Sequence, residues 1–268
     1  MSPSAGAFGE VLREWRGVQG MSQLDLALTA GVSSRHISFI ETGRARPSRK
    51  MVLRLAETLD LPLRERNEML VAAGFAPLYR ESDLEDTDLT SVRRALELVL
   101  GSHEPFPAFV LDRAWNILLA NRAHHRLLAM LLPEAARSAE PVNSVRLVLD
   151  PELLRPRIGN WELVAHVLGQ RLSRQLRTPN LEPHVARLLE ELLALPDVRD
   201  AMDRVQVPPD AAVVIPIRLE LHGRSLSWFS TIARIGTPQD VTLDELHIES
   251  LFPADEETER TACELAKG

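Results

Sequence analysis

The chain has 268 residues, 45% of them hydrophobic and 26% charged, with a formal net charge of −7. That balance describes one or two folded domains with full cores and excludes a disordered chain. No apolar run approaches the roughly 18 residues of a membrane helix, and the N-terminal stretch lacks the charged and apolar regions of a secretory signal. The single cysteine, Cys263, excludes an intrachain disulfide and any multi-cysteine zinc site. The expectation is a cytoplasmic protein with no membrane partner.

The charge is unevenly placed. Residues 1–79 carry ten basic and eight acidic side chains, against 21 and 30 in residues 80–268. Within residues 31–54, Arg35, Arg44, Arg46, Arg49, Lys50 and Arg54 are set against Glu41 alone. DNA affinity follows such a local patch and not the chain total, so the asymmetry suits a basic reading head on an acidic body.

In chain order, Phe8, Val11, Leu12 and Trp15 recur at helical spacing and predict a first amphipathic helix. Ser22 followed by Asp25 predicts a capping-box-like start to a second helix. Leu24, Ala27 and Leu28 are read as its apolar face. Gly31 supplies a left-handed residue to end that helix, and Val32 fills the corner. Ser33 caps a third helix whose Ile37 and Ile40 face inward, leaving Ser34, Arg35, Ser38 and Phe39 outward. A short helix with polar outward residues on a rigid corner fits a DNA major groove. Ser48 caps a fourth helix carrying Met51, Val52, Leu55, Ala56 and Leu59, and a fifth runs from Pro62 to about Ala73, stopped by Gly74.

The residues Ser22, Gln23, Leu26, Ala27, Ala30, Gly31, Val32, Ser33, Ile37, Ser38, Ile40, Glu41 and Gly43, with Pro47 four residues on, closely resemble the phage-repressor-like (XRE) helix-turn-helix family. The resemblance implies a five-helix DNA-binding domain over residues 1–79. On it, Ser34, Arg35 and Ser38 read base edges from the third helix, and Gln23 and Arg44 hold phosphates. Ser33, His36, Thr42 and Arg46 complete the expected DNA surface.

Residues 80–89, which include the acidic stretch ESDLEDTDL, are read as a linker, with a solvated helix extension as the alternative. After a short helix (91–101) the periodicity changes. Residues 106–111 and 115–120 predict two strands about an Asp112-Arg113-Ala114 turn, and Asn121 caps a helix to about Leu132. Two long helices are expected over 161–177 and 183–195. Strands at 212–221 and 226–235 are joined at His222-Gly223-Arg224. Residues 241–253 are ambiguous between strand and helix, and Asp255 caps a terminal helix over 254–267.

The stretches PAFVLDRAWNILLAN and NWELVAH resemble the domain found behind many XRE heads, that of the MmyB-like regulators. This implies a PAS-like sheet and small-molecule sensing over residues 90–268. The C-terminal stretch GTPQDVTLDELHIESLFPAD departs from the family pattern. The fold class expected is therefore α+β and multidomain: a five-helix repressor-like domain, then a PAS-like domain with an antiparallel sheet and a helical insert.

No catalytic motif is recognisable. His103-Glu104 runs into Pro105, His247 lacks a partner four residues on, and GxSxG, SxxK and P-loop patterns are missing. Adjacent His124 and His125 point in different directions on a helix and are read as ordinary surface or interface residues. No catalytic residue, metal or cofactor is expected. Phe109, Trp115, His125, Trp161, Trp228 and Phe229 are the candidate ligand-binding residues, core filling being the alternative for the aromatics. The function expected is a sequence-specific transcriptional regulator, a homodimer on operator DNA, whose second domain senses a small apolar ligand such as a fatty acid. The alternative is a second domain that serves only as a dimerisation or protein-partner platform.

Overall fold

The computed structural model describes residues 5–133, 141–206, 215–221 and 223–267. Two compact units result. One comprises 1–83 with 177–180 and 236–245, and the other comprises 84–176, 181–235 and 246–268.

The first unit contains α1 (Ala5–Val18), α2 (Gln23–Ala30), α3 (Ser34–Glu41), α4 (Arg49–Thr58) and α5 (Leu63–Ala72). Local chemistry sets their ends. Ser22 Oγ accepts from the Asp25 amide while the Asp25 carboxylate accepts from the Ser22 amide, a complete capping box. The Ser33 and Ser48 hydroxyls accept from the His36 and Met51 amides, and Gly31 ends α2 at a φ of 62°. Phe8, Leu12, Trp15, Leu26, Ile37, Ile40, Leu55 and Met69 form the centre of one core. Gly9 lets α1 approach α3 closely, since a Cβ there would lie 2.5 Å from the Glu41 carbonyl oxygen.

The inward face of α2 differs from the expectation. Leu26, Ala27 and Ala30 are buried, whereas Leu24 and Leu28 are 56% and 70% exposed. This helix carries apolar residues around most of its circumference. Its buried stripe is therefore chosen by the packing of its neighbours and not by its own periodicity.

The second unit begins with α6 (Thr90–Ser102) and continues through β1 (Ala108–Leu111), β2 (Ile117–Ala120), α7 (Arg122–Leu131) and α8 (Ser144–Leu149). Next come α9 (Trp161–Gln175), α10 (Pro183–Leu193), α11 (Pro196–Arg204), β3 (Ile217–Leu221) and β4 (Arg224–Ala233). A short helix of the first unit, α12 (Val241–Glu245), precedes β5 (His247–Pro253) and the final α13 (Glu256–Leu265), which Asp255 caps as expected. The five strands form one antiparallel sheet in the order β2-β1-β5-β4-β3. The architecture is α+β, as the sequence predicts. Residues 212–214 of the expected third strand, and His222 of its turn, lie outside the described residues.

The ambiguous stretch 241–253 resolves into both forms, and β5 becomes the central strand that joins the two hairpins. Trp115 does not begin β2. It takes a left-handed φ of 69° in a turn organised by Asp112, whose carboxylate accepts from the Asn116 backbone and side-chain amides at 2.8 and 2.9 Å. Asn121 ties this region together. Its Oδ1 accepts from the His124 and Ala108 amides, and its Nδ2 donates to the Leu100 and Phe106 carbonyls. With all these groups paired, a buried asparagine is a rigid joint rather than a liability.

Candidate functional site

On the first unit the outward face of α3 carries Ser34 and Arg35, both exposed, with His36 and Ser38 half-buried. Phe39 lies between two cations, the Arg35 guanidinium 5.1 Å and the Arg44 guanidinium 6.0 Å from its ring centroid. An aromatic ring in contact with two guanidinium groups attracts and orients both. Exposed Arg44, Arg46, Arg49 and Lys50 extend the basic surface. The Ser33 hydroxyl is engaged as the α3 cap, and Thr42 donates to the Ser38 carbonyl at 2.7 Å.

The one acid of that stretch is withdrawn from the surface. Glu41 is 3% exposed and meets Arg16 at 2.7 Å and 3.2 Å. Gln23 Nε2 donates at 2.7 Å to Oε2, which it shares with Arg16 Nη2, and Arg13 donates to the Glu41 carbonyl. Burial alone pushes the Glu41 carboxyl up. The hydrogen bonds from Arg16 and Gln23, and the charges of Arg16 and Arg13, outweigh it and hold the group below the usual carboxylate range. The basic patch therefore meets solvent without its internal counter-charge.

The second unit holds a half-open cavity of about 250 Å³ between one face of the sheet and α7, α8 and α9. Cross-strand register places Phe109, Trp228, Ser230, Glu249 and Leu251 on this face. Leu127, Leu131, Val145, Leu147 and Leu168 line the helical side. Few lining side chains are polar: His124, Ser144, Arg171, Ser230 and Glu249. The Arg171 guanidinium sits 4.3 Å from the Trp115 ring centroid, and the indole Nε1 of that tryptophan donates to Gln175 at 2.8 Å. A left-handed backbone at a non-glycine residue is costly, of order 1–3 kcal/mol. Here it aims a large ring at the cavity wall.

Burial shapes the titration of Arg171, Glu249 and His124 on this wall. It lowers Arg171, with the Glu249 charge opposing the change. It raises the Glu249 carboxyl, with the Ser230 hydrogen bond and the Arg171 charge opposing. It lowers His124 to about 3, and His125 adds a repulsive charge. Two buried nitrogens of lining residues, His124 Nε2 and Trp228 Nε1, have no hydrogen-bond partner. An apolar space with a few convergent polar groups is the usual form of a small-molecule site.

Of the six expected ligand residues, Phe109, Trp115 and Trp228 line the cavity. The other three do not. His125 is exposed. Trp161 donates to the Val148 carbonyl and stacks under Arg155. Phe229 lies on the opposite face of β4, stacked on Phe252 at 5.4 Å, because alternate residues of a strand point to opposite sides. Ala108 alternates away from Phe109 for the same reason. His124 corrects the reading of both histidines as surface groups, being 6% exposed. It shares a helical face with Leu127, Leu128 and Leu131, a spacing legible in the sequence. Arg171 and Glu249 carried no such signal.

Among the described residues there is no group of three or more His, Cys, Asp or Glu side chains suited to a metal. No described helix is long and apolar enough to cross a membrane.

Residues 92–265 match the family described as MmyB-like transcription regulator ligand binding domain, and residues 12–66 match a helix-turn-helix family. Uncharacterized HTH-type transcriptional regulators of Mycobacterium bovis and Mycobacterium tuberculosis are 37% identical to the chain over 101 residues, 37% of this chain and 38% of each relative. The match thus spans well under half the length of these curated relatives. Among solved structures, the chain is similar over 23% of its length to 94% of the restriction-modification controller protein C.AhdI from Aeromonas hydrophila, with 35% identity and a TM-score of 0.22. It is also similar, at 16% identity and a TM-score of 0.26, to 65% of an RNA-binding light-oxygen-voltage receptor.

Proposed function

Because the chain belongs to the MmyB-like transcription regulators, we propose that its DNA binding is governed by a small amphiphile held in the cavity of the second unit. The observation that carries this reading is the cavity itself: a largely apolar space of about 250 Å³ with the Arg171 guanidinium on its wall. A fatty acid suits it, its chain against the leucines and its carboxylate toward Arg171. Burial, rather than a tight charge partner, is the leading cause of the Arg171, Glu249 and His124 shifts. These groups are thus held away from water among apolar neighbours. The platform reading gives no role to such a space.

Sodium laurate is the probe. Calorimetry of the whole chain should detect one site, and Arg171→Gln should weaken it roughly ten- to a hundred-fold, the worth of a hydrogen bond to a charged group. Binding of 1-dodecanol should change little in the same variant. Equal losses for both molecules would contradict a carboxylate-reading arginine.

In the first unit we assign base readout to Ser34, Arg35 and Ser38, and phosphate contacts to Gln23, Arg44 and Arg46. The Gln23 nitrogen carries two hydrogens, so its bond to Glu41 leaves one for a phosphate. Arg35→Ala should relax sequence preference by about 1–3 kcal/mol at one position, whereas Arg44→Ala should weaken all sites alike and flatten the salt slope. Operator-variant titrations read both effects, and equal losses on specific and random DNA for Arg35→Ala would overturn the assignment. One head spans too few base pairs for useful specificity. A twofold dimer with its α3 helices roughly 34 Å apart on a palindromic site is therefore part of the proposal.

A further inference from the structure

Helix α5 begins without a cap of its own, because Pro62 holds the N-cap position and offers no side-chain acceptor. The acceptor comes from 181 residues away: the Asp244 carboxylate accepts from the Leu63 amide at 2.7 Å. Its neighbour Glu245 pairs with Arg64 through two hydrogen bonds of 2.6 and 3.0 Å. Just before them, the Val241 amide donates to the Arg80 carbonyl at 2.8 Å, and the Thr242 hydroxyl donates to the Ser82 carbonyl at 2.6 Å. Val241 and Leu243 are buried. Helix α12 is thus a working part of the DNA-binding unit, as the grouping of 236–245 with that unit also requires.

Its covalent attachments belong to the other unit. The segment lies between β4, which supplies Trp228 and Ser230 to the cavity, and β5, which supplies Glu249 and Leu251. A single residue, Leu246, separates α12 from β5. We propose that α12 is the relay between the two activities, a strap spliced into the ligand-binding sheet and docked on the first turn of α5. Repacking of β4 and β5 around a bound molecule then reaches the DNA-binding unit through Asp244 and Glu245. This inference rests on the ligand-sensing reading above.

Hydrogen exchange of the full chain, read by mass spectrometry, tests it. Asp244→Ala should speed exchange of the amides at the start of α5 roughly three- to thirty-fold, the range expected for a lost helix cap. Asp244→Asn, which keeps an acceptor oxygen, should restore protection. Unchanged exchange in Asp244→Ala would overturn the dock. Sodium laurate should alter exchange in residues 241–246 and 63–66 of the natural chain. The Asp244→Ala/Glu245→Ala chain should bind laurate with the same affinity and show no change at 63–66. Laurate effects confined to the cavity elements would overturn the relay alone. Absence of laurate binding would overturn the sensing reading and the relay with it, whereas the dock stands or falls on the Asp244→Ala exchange.

Discussion

Glu41→Ala should cost the DNA-binding unit about 3–5 kcal/mol, a large fraction of the stability of a typical domain. The carboxylate is buried at the C-terminal end of α3 and accepts from Arg16 and Gln23. Removing it leaves the half-buried Arg16 guanidinium and the Gln23 amide without their shared acceptor, and a lost charge partner is costlier than a lost contact. It also releases the end of α3 from α1, which presses so closely that Gly9 faces the Glu41 carbonyl. Glu41→Gln keeps the shape and an acceptor oxygen and should cost less. Chemical denaturation followed on the first unit distinguishes the three proteins. A Glu41→Ala chain as stable as its parent would show that the pair contributes nothing net.

The second large effect is acid sensitivity of the ligand-binding unit. His124 is neutral in the fold, lowered from 6.5 to about 3. A depressed histidine contributes stability that is present above pH 6.5 and lost as the pH falls toward 3. Between those limits the loss is roughly 1.4 kcal/mol per pH unit, so two units of acidification remove about 3 kcal/mol. Glu249 acts in the opposite sense. Its carboxyl is raised, so the stability it contributes is present in acid and is lost as the pH rises through the raised value. Denaturation of His124→Leu should lack the loss of stability that acidification below pH 6.5 brings to the parent, and Glu249→Gln should lack the loss that follows as the pH rises above the ordinary carboxylate range. A parent chain whose stability does not fall below pH 6 would contradict a buried neutral His124.

The two units were not equally legible in the sequence. Helix ends of the first unit are local events, written in Ser22, Asp25, Gly31, Ser33 and Ser48, and reading along the chain recovers them. The face of α2 is not local, because Leu24, Leu26 and Leu28 offer competing stripes and only the neighbouring helices decide. In the second unit the central strand β5 was obscured by its mixed composition. His247, Glu249 and Ser250 interrupt its apolar residues, and Glu249 lines the cavity. The cavity's other charge, Arg171, sits on a helix whose sequence shows only an ordinary mixture of polar and apolar residues. The cap that Asp244 gives α5 spans 181 positions, and no window on the sequence contains both partners.

The central claim is that cavity and DNA surface are linked, and linkage is reciprocal: if a ligand changes operator affinity by some factor, operator changes ligand affinity by the same factor. The most direct measurement is a pair of titrations on the full chain, operator binding with and without saturating sodium laurate, and laurate binding with and without operator. The account predicts equal factors in both, typically five- to 150-fold. Laurate that binds with an affinity indifferent to operator would contradict it.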